Sequence, residues 1–327
     1  MKKILLKILF AIQKITSLEI LQIKAIKSLG MVKPLFLIDV GSAKGMPNRW
    51  KKIESVIFKY GFEPDEGARK KLKQSPDLRG GGNLDFPFAL SDKAEQIVLN
   101  VLKKPSHSSV LFPNNDFTNL FPKRHPDGFE INFQANVEGI DLDTLEFEAK
   151  DFMKIDVQGY ELKVLKGSET SLRDILGLEI EIGFSELYKN QCSFGEIKDY
   201  MSENAFEFID FTSLTRWERD ASKNTLGLCV GGDALFLRTP EFIYSKYQND
   251  KEKLAAYLSI CLIYKRHDYI SKTFELFNIE KDIHYLEFLR INKKLRRRLN
   301  FADRLSRLSN HIIRFFVSEV DSTPMFY

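Results

Sequence analysis

Phe36-Leu37-Ile38-Asp39-Val40-Gly41-Ser42-Ala43-Lys44-Gly45 decides the fold class of this chain. An apolar run with no room for an exposed face ends in an acid, then in two glycines spaced G-x-x-x-G. A buried parallel strand delivers its backbone to a nucleotide-like ligand in this way, at its carboxyl end. Gly41 permits the tight turn, and Gly45 lets the main chain approach a ligand without a Cβ. Asp39 stands where a carboxylate accepts hydrogen bonds from a cationic or hydroxylated group. Glycines after a strand are also ordinary turn punctuation, so the meaning of the motif depends on its neighbours.

The next segment, Val56-Ile57-Phe58-Lys59-Tyr60-Gly61-Phe62-Glu63-Pro64, reads as a second apolar strand that again ends in an acid and is stopped by proline. Glu63 lies 24 positions after Asp39, close to the roughly 20-residue interval of a strand-turn-helix-strand unit whose acid holds a ribose. A carboxylate accepts from both ribose hydroxyls, which explains an acid there. The dinucleotide fingerprint G-x-G-x-x-G is absent, because position 43 is Ala and position 46 is Met. The missing middle glycine argues against close pyrophosphate packing. A nucleoside without a pyrophosphate, such as S-adenosylmethionine, fits better than NAD, and a nicotinamide-dependent oxidoreductase is disfavoured.

Further strands are expected over Asp85–Leu90, ending at the turn pair Ser91-Asp92, and over Ile97–Val101, Phe152–Val157 and Gly177–Gly183. Helices are expected over Glu66–Gln74, Tyr160–Ile175 and Phe194–Ala205. Strands alternating with helices of this length predict a mostly parallel, doubly wound α/β sheet. Phe206–Phe211 and Asp233–Arg238 have no helical pattern between them and predict an antiparallel hairpin at the sheet edge. Gly80-Gly81-Gly82 reads as a loop remote from any strand-helix junction.

Val137-Glu138-Gly139-Ile140-Asp141-Leu142-Asp143-Thr144-Leu145, followed by Phe152-Met153-Lys154-Ile155-Asp156-Val157-Gln158-Gly159-Tyr160-Glu161-Leu162-Lys163-Val164-Leu165-Lys166-Gly167, resembles the FkbM family of S-adenosylmethionine-dependent methyltransferases. The family pattern is an apolar strand ending K-[IV]-D-[VI]-[EQ]-G-x-E, then a helix reading V-L-x-G. The resemblance extends back through Asp39-Val40-Gly41, Phe62-Glu63-Pro64 and Ala89-Leu90-Ser91-Asp92, and forward to Glu179-Ile180-Glu181, covering roughly residues 33–240. Position 158 holds Gln where Glu is frequent in the family, which removes a charge. The resemblance implies a Rossmann-like methyltransferase fold, S-adenosylmethionine as cofactor, and O-methylation of a hydroxyl on a sugar, glycan or related metabolite. A cofactor-binding domain without turnover, serving as a partner-binding module, is the alternative that the long terminal helices suggest.

Ligands of such sheets sit at the carboxyl ends of the strands, where Asp39, Glu63, Ser91, Asp92, Asp156 and Glu181 would converge. Glu63 is expected to hold the ribose, Ser91-Asp92 to border the adenine, and Asp39 with the Gly41-to-Gly45 backbone to hold the methionine end. Asp156 has two readings: a general base for the acceptor hydroxyl, or a ligand of the cofactor ammonium or cap of the helix beginning near Gly159. Lys154 shares a strand face with Asp156 and is expected to pair with it or with Glu161, which in turn anchors the turn after Asp156. Glu181 either contacts the acceptor or ends its strand. His107, in the polar loop Pro105–Ser109, is the second candidate base. No metal-ligand spacing accompanies these acids, and no metal is expected.

The ends of the chain differ in texture, suggesting a division into residues 1–32, 33–240 and 241–327. Ile4, Ile8, Ile12 and Ile15 recur at helical spacing among lysines, which predicts a basic amphipathic helix that packs on its own domain or lies on an anionic membrane face. Lys7 interrupts the apolar region and no small-x-small site follows, unlike a secretory signal. From about Pro240 the chain turns helical and basic. Leu254, Tyr257, Leu258, Cys261 and Leu262 form one apolar stripe, and Ile283, Leu286 and Leu289 a second. Lys293-Lys294-Leu295-Arg296-Arg297-Arg298 reads as a solvated helix face. The 49 basic and 45 acidic residues nearly balance, so nucleic acid is not an expected partner. Three separated cysteines give no disulfide framework and suit a cytoplasmic location, with peripheral contact through residues 1–30 as an option.

Overall fold

The computed structural model describes residues 20–46, 48–70, 72, 82–121, 126–219, 226–279 and 285–298. Its strands are β1 (Leu35–Val40), β2 (Ile57–Phe62), β3 (Gly82–Phe86), β4 (Ala89–Leu90), β5 (Glu95–Leu102), β6 (Ile131–Ile140), β7 (Phe152–Ile155), β8 (Gly177–Gly183), β9 (Glu207–Trp217) and β10 (Leu228–Leu237). Seven of them form one sheet in the order β3-β2-β1-β7-β8-β10-β9. The pairs from β3 through β8 are parallel, whereas β10 runs antiparallel to both β8 and β9. The expected hairpin is therefore present and longer than its apolar residues indicated. The chain reverses sheet direction between β1 and β7, which opens a crevice at their carboxyl ends.

Asp85–Leu90, expected as one strand, divides at Pro87. That residue has no N–H for a ladder, so β3 stays on the large sheet while β4 joins β5 and β6 in a second, three-stranded sheet. Gly82, expected in a loop, is the first residue of β3; Gly80 and Gly81 lie outside the described residues. Helix Glu66–Arg69 covers the start of the expected Glu66–Gln74. The expected Tyr160–Ile175 helix is two short ones, Glu161–Lys166 and Glu169–Leu172. The break falls at Gly167, where a Cβ would stand 1.8 Å from the Ser91 carbonyl oxygen.

Alternate residues of β1 face two different cores. Phe36, Ile38 and Val40 pack with Val164, Leu165, Leu172, Ile197 and Met201 of the helices on one side. Leu35 and Leu37 pack with residues from helices at both ends of the chain. These are residues 20–28, Pro240–Tyr247, Lys251–Ile263, His267–Phe277 and 285–298. The stretches outside residues 33–240 thus build most of one layer over the sheet, completed by Trp50 and Ile53.

Lys251–Ile263 is the central helix of that layer, with every residue from Leu254 to Ile263 buried. A helix apolar all round is one enclosed on all sides. Just beyond it, the Tyr264 hydroxyl donates to Glu179 of β8 at 2.5 Å and accepts from Trp50 Nε1. Arg49 stacks over the same ring at 4.4 Å. In the 285–298 helix the buried residues are Tyr285, Phe288, Asn292 and Leu295, while Leu286 is 45 % exposed. The apolar stripe expected through Leu286 is therefore rotated, because Phe274 of the preceding helix takes Tyr285 and Phe288 as ring partners. Ile4, Ile8, Ile12, Ile15 and Ile283 lie outside the described residues.

Candidate active site

Gly41 leaves β1 at φ 76°, and a Cβ on it would lie 1.9 Å from the Asp156 carbonyl oxygen. The turn after β1 and the end of β7 therefore touch through backbone, and only glycine fits. Gly45 needs glycine for its φ of 71° and has no comparable close neighbour. Beyond this contact lies a narrow cleft lined by Gly41, Phe62, Glu63, Leu90, Asp156 and Val157, among others, and roofed by Pro105 to Val110.

Glu63 is buried on the cleft wall, and its carboxylate accepts from Asp65 N at 2.9 Å. Burial pushes it up to about 7, against the backbone hydrogen bond that favours its charge. Asp39 is buried behind the cleft. Neither of its carboxylate oxygens has a hydrogen-bond partner among the described residues. Its burial raises it to about 6, opposed by the charges of Lys154 and Lys59. Lys59 is itself buried against Asp85 at 2.5 Å, in space that a Cβ on Gly61 would fill. Ser91 and Asp92 stand outside the cleft lining. Ser91 Oγ lies 3.1 Å from the Tyr160 hydroxyl and Asp92 pairs with Lys163 at 2.6 Å, while Phe88, Ala89 and Leu90 line the cleft instead.

The acids at the ends of β7 and β8 are joined side by side. Lys154 Nζ donates to Asp156 Oδ2 at 3.0 Å, and Gln158 Nε2 donates to Asp156 Oδ1 at 2.8 Å and also to Glu181. Burial opposes the Lys154 ammonium, but Asp156, Asp39 and Glu181 outweigh it and hold its pKa above the ordinary value. Glu181 is held well above the usual carboxylate range by burial, then by the charge and hydrogen bond of Asp156. Burial and the neighbouring Asp156 therefore both favour the protonated form of Glu181.

Gln158 adopts φ 57° to make this bridge. Glu161 fixes the strained turn by accepting from Val157 N and Gly159 N, at 3.2 and 3.0 Å. Burial raises Glu161 to about 7.

A second cavity of about 480 Å³ opens on the other side of Gln158, lined by His107, Phe129, Glu181, Tyr188, Thr215 and Trp217, among others. Gln158 and Ser106 line both spaces. The Tyr188 hydroxyl lies 2.8 Å from Gln158 Oε1 and from the His107 carbonyl oxygen, so it ties the roof loop to the bridge. The His107 ring packs on Phe129 at 4.6 Å. The Gln158 bridge brings Asp156 and Glu181 together, whereas His107 lines the second cavity and not the narrow cleft. Tyr188, Trp217, Phe129 and Lys104 were not singled out in the sequence. They arrive from separate elements, and no short spacing links them. The one local signal is Gln191, wedged where a Cβ on Gly159 or Gly183 would strike it at 2.8 or 2.1 Å. Its Oε1 accepts from Leu187 N and Tyr188 N and so fixes the loop that carries Tyr188.

A mostly parallel sheet closed by an antiparallel hairpin, with its crevice between two carboxyl-ended strands, defines a Rossmann-like methyltransferase. A family model described as the methyltransferase FkbM domain matches residues 39–208, just over half of the chain. The chain belongs to that family, and S-adenosylmethionine is its cofactor. Two solved structures are similar to it. The methyltransferase FkbM from Methylobacillus flagellatus KT is 12% identical, with 62% of this chain and 43% of that one covered and a TM-score of 0.37. The magnesium protoporphyrin IX methyltransferase from Synechocystis PCC 6803, solved with bound SAM, is 10% identical, with 69% and 81% covered and a TM-score of 0.32. The match thus spans less than half the length of the first of these. No curated protein matches the chain.

The residues present fit that cofactor. Buried Asp39 offers two unpartnered oxygens, Gly41 leaves a cradle that a Cβ would fill, and Glu63 is an acid on the wall of a largely apolar cleft.

Proposed function

We propose that the protein is an O-methyltransferase acting on a hydroxyl of a sugar, glycan or related metabolite. The observation that carries this reading is the wall of Asp156, Gln158 and Glu181 between the narrow cleft of Gly41 and Glu63 and a second, polar and aromatic cavity. S-adenosylmethionine, when bound, supplies an electrophilic methyl group on a cationic sulfur. Glu63 accepts from the ribose hydroxyls in its ionised form, and Asp39 with the Gly41 turn receives the methionine end.

The acceptor occupies the second cavity, whose lining combines the apolar edges of Trp217, Phe129 and Tyr188 with the polar side chains of Glu181 and Thr215. Its hydroxyl donates to Asp156, which takes the proton as the oxygen gains its new bond. Lys154 remains charged beside Asp156 and orients that carboxylate through its hydrogen bond. The Gln158 bridge holds both acids still, so alignment of the oxygen supplies much of the acceleration.

The test is transfer of labelled methyl from S-adenosylmethionine to a panel of monosaccharides and oligosaccharides, followed by mass spectrometry of the product. Methylation at oxygen, lost in Asp156→Asn with cofactor affinity retained, supports the reading. Cofactor binding with no transfer to any hydroxyl acceptor, or transfer to nitrogen or carbon, counts against it.

A further inference from the structure

Lys104 brings an ammonium-bearing side chain to the wall of the second cavity, in the roof segment that also carries His107. Its backbone is fixed on both sides. Lys104 N donates to the Gly128 carbonyl oxygen at 3.4 Å, and the Lys104 carbonyl oxygen accepts from His107 N at 2.9 Å. The side chain then passes Gly128. A Cβ on that glycine would lie 3.5 Å from Lys104 Cβ, 3.7 Å from Lys104 Cδ and 3.9 Å from His107 Nδ1. The lysine stem and the imidazole therefore converge on one stretch of the wall.

Neighbouring Lys103 takes another course, pairing with Glu130 at 2.5 Å and staying out of the cavity lining. Lys104 forms no ion pair among the described residues. The carboxyl groups of the lining belong to Glu161 and Glu181, and burial favours the protonated form of both. Asp156 lines the narrow cleft instead and is paired with Lys154 at 3.0 Å. An ammonium group left without a partner in a polar recess suits a carboxylate or phosphate on the ligand.

The Lys104 wall is also close to the reacting end of the cavity. Tyr188 Oη lies 2.8 Å from the His107 carbonyl oxygen and 2.8 Å from Gln158 Oε1, so one hydroxyl separates the roof from the bridge that holds Asp156. A single small ligand in a cavity of about 480 Å³ spans both.

We propose that the acceptor is an anionic sugar, its carboxylate or phosphate group held by Lys104 and the hydroxyl to be methylated turned towards Asp156. The role of that hydroxyl rests on the proposed O-methyl transfer, whereas anion binding at Lys104 is measured without turnover.

Calorimetric titration of the S-adenosylhomocysteine-loaded protein with methyl glucuronide, glucose-6-phosphate and methyl glucoside tests this. The two charged sugars distinguish carboxylate from phosphate as the favoured group. One or both should bind roughly tenfold to a hundredfold more tightly than methyl glucoside, and less so at high salt. Lys104→Gln should remove that preference and Lys104→Arg should keep most of it, with unfolding temperature and S-adenosylhomocysteine affinity unchanged in both. The proposal is overturned if neither charged sugar binds better than the neutral one, or if the preference survives in Lys104→Gln. Selective binding of a charged sugar that S-adenosylmethionine then never methylates at oxygen counts instead against the O-methyltransferase reading. Methylation of methyl glucoside as efficient as that of the charged sugars leaves that reading in place and removes Lys104 from specificity.

Discussion

Glu181 accepts a hydrogen bond from the Gln158 side-chain amide, and Gln158 holds a left-handed backbone conformation to reach it. A non-glycine residue at φ 57° is disfavoured by about 1 kcal/mol, so the surroundings hold it there. Two substitutions separate the backbone from the bridge. Gln158→Gly removes the strain and the bridge together, so the fold should be as stable as wild type or more so while turnover falls roughly tenfold to a hundredfold. Gln158→Ala should lose the same rate and keep the strain. Unfolding midpoints and single-turnover rates of both variants check this; unchanged turnover in either would remove the bridge from catalysis.

Gln158→Glu would place a third carboxyl between Asp156 and Glu181. Three buried acids cannot all ionise, so the pH at which turnover rises should move up relative to wild type. The pH–rate profile reads this directly, and a profile identical to that of wild type would show that position 158 does not couple to the reacting proton.

Asp156 touches the Gly41 turn through its backbone and the acceptor wall through its side chain, which separates its two expected roles. As a general base, its removal in Asp156→Asn should cost roughly 10²- to 10⁴-fold in kcat and change S-adenosylmethionine affinity only a few-fold. As a ligand of the cofactor ammonium, the same variant would instead weaken binding most. Calorimetric titration alongside kcat decides between them.

Glu63 and Glu161 are both raised to about 7 and Asp39 to about 6, all by burial first. Each raised carboxyl binds its proton in the folded state over a range where the unfolded chain has lost it. Their contribution to stability is therefore full at pH below about 4 and is lost as pH rises to about 7. The cofactor-free protein should unfold at a lower temperature at pH 8 than at pH 5, by more than about 5 °C. Cofactor binding should run the other way, because the ribose hydroxyls need ionised Glu63, and affinity should gain roughly tenfold between pH 6 and 8. Glu63→Gln should flatten part of the stability slope and weaken binding at every pH. A variant that keeps the wild-type slope would remove Glu63 from the titration.

Much of this was legible in the chain because the informative elements are local. β1, β2 and β7 are short strands buried on both faces, so each appears as a mostly apolar run ending at an acid or a glycine turn, while β8 alternates apolar and acidic residues between two glycines. The acids at their ends are at the site by construction of a parallel sheet. β6 was missed because most of Ile131–Glu138 is exposed or half-buried and its apolar residues do not alternate cleanly. Without it, the second sheet and the place of β4 could not be read. The second cavity was hidden for another reason. Tyr188, Phe129, Trp217 and His107 meet only after the roof loop, the Gln191 loop and the hairpin are folded together. The described segments after Pro240 read correctly as helical. Their membership of the core did not show, since a helix enclosed on all sides gives no contrasting polar face.

Gly41 gives the most direct test of the crevice itself. Alanine there would carry a Cβ into the Asp156 carbonyl oxygen, and backbone on both sides leaves no flexible side chain to yield. The left-handed φ of 76° adds about 1 kcal/mol of its own. Gly41→Ala should therefore destabilise the fold by several kcal/mol, or force β1 and β7 apart at their carboxyl ends and abolish cofactor binding. Gly45→Ala should bear the conformational cost alone, because its nearest neighbour beyond the turn is Leu72 Cδ2 at 3.8 Å. Chemical denaturation of the two variants measures the difference. Equal losses would mean that the contact between Gly41 and Asp156 is not what closes the crevice.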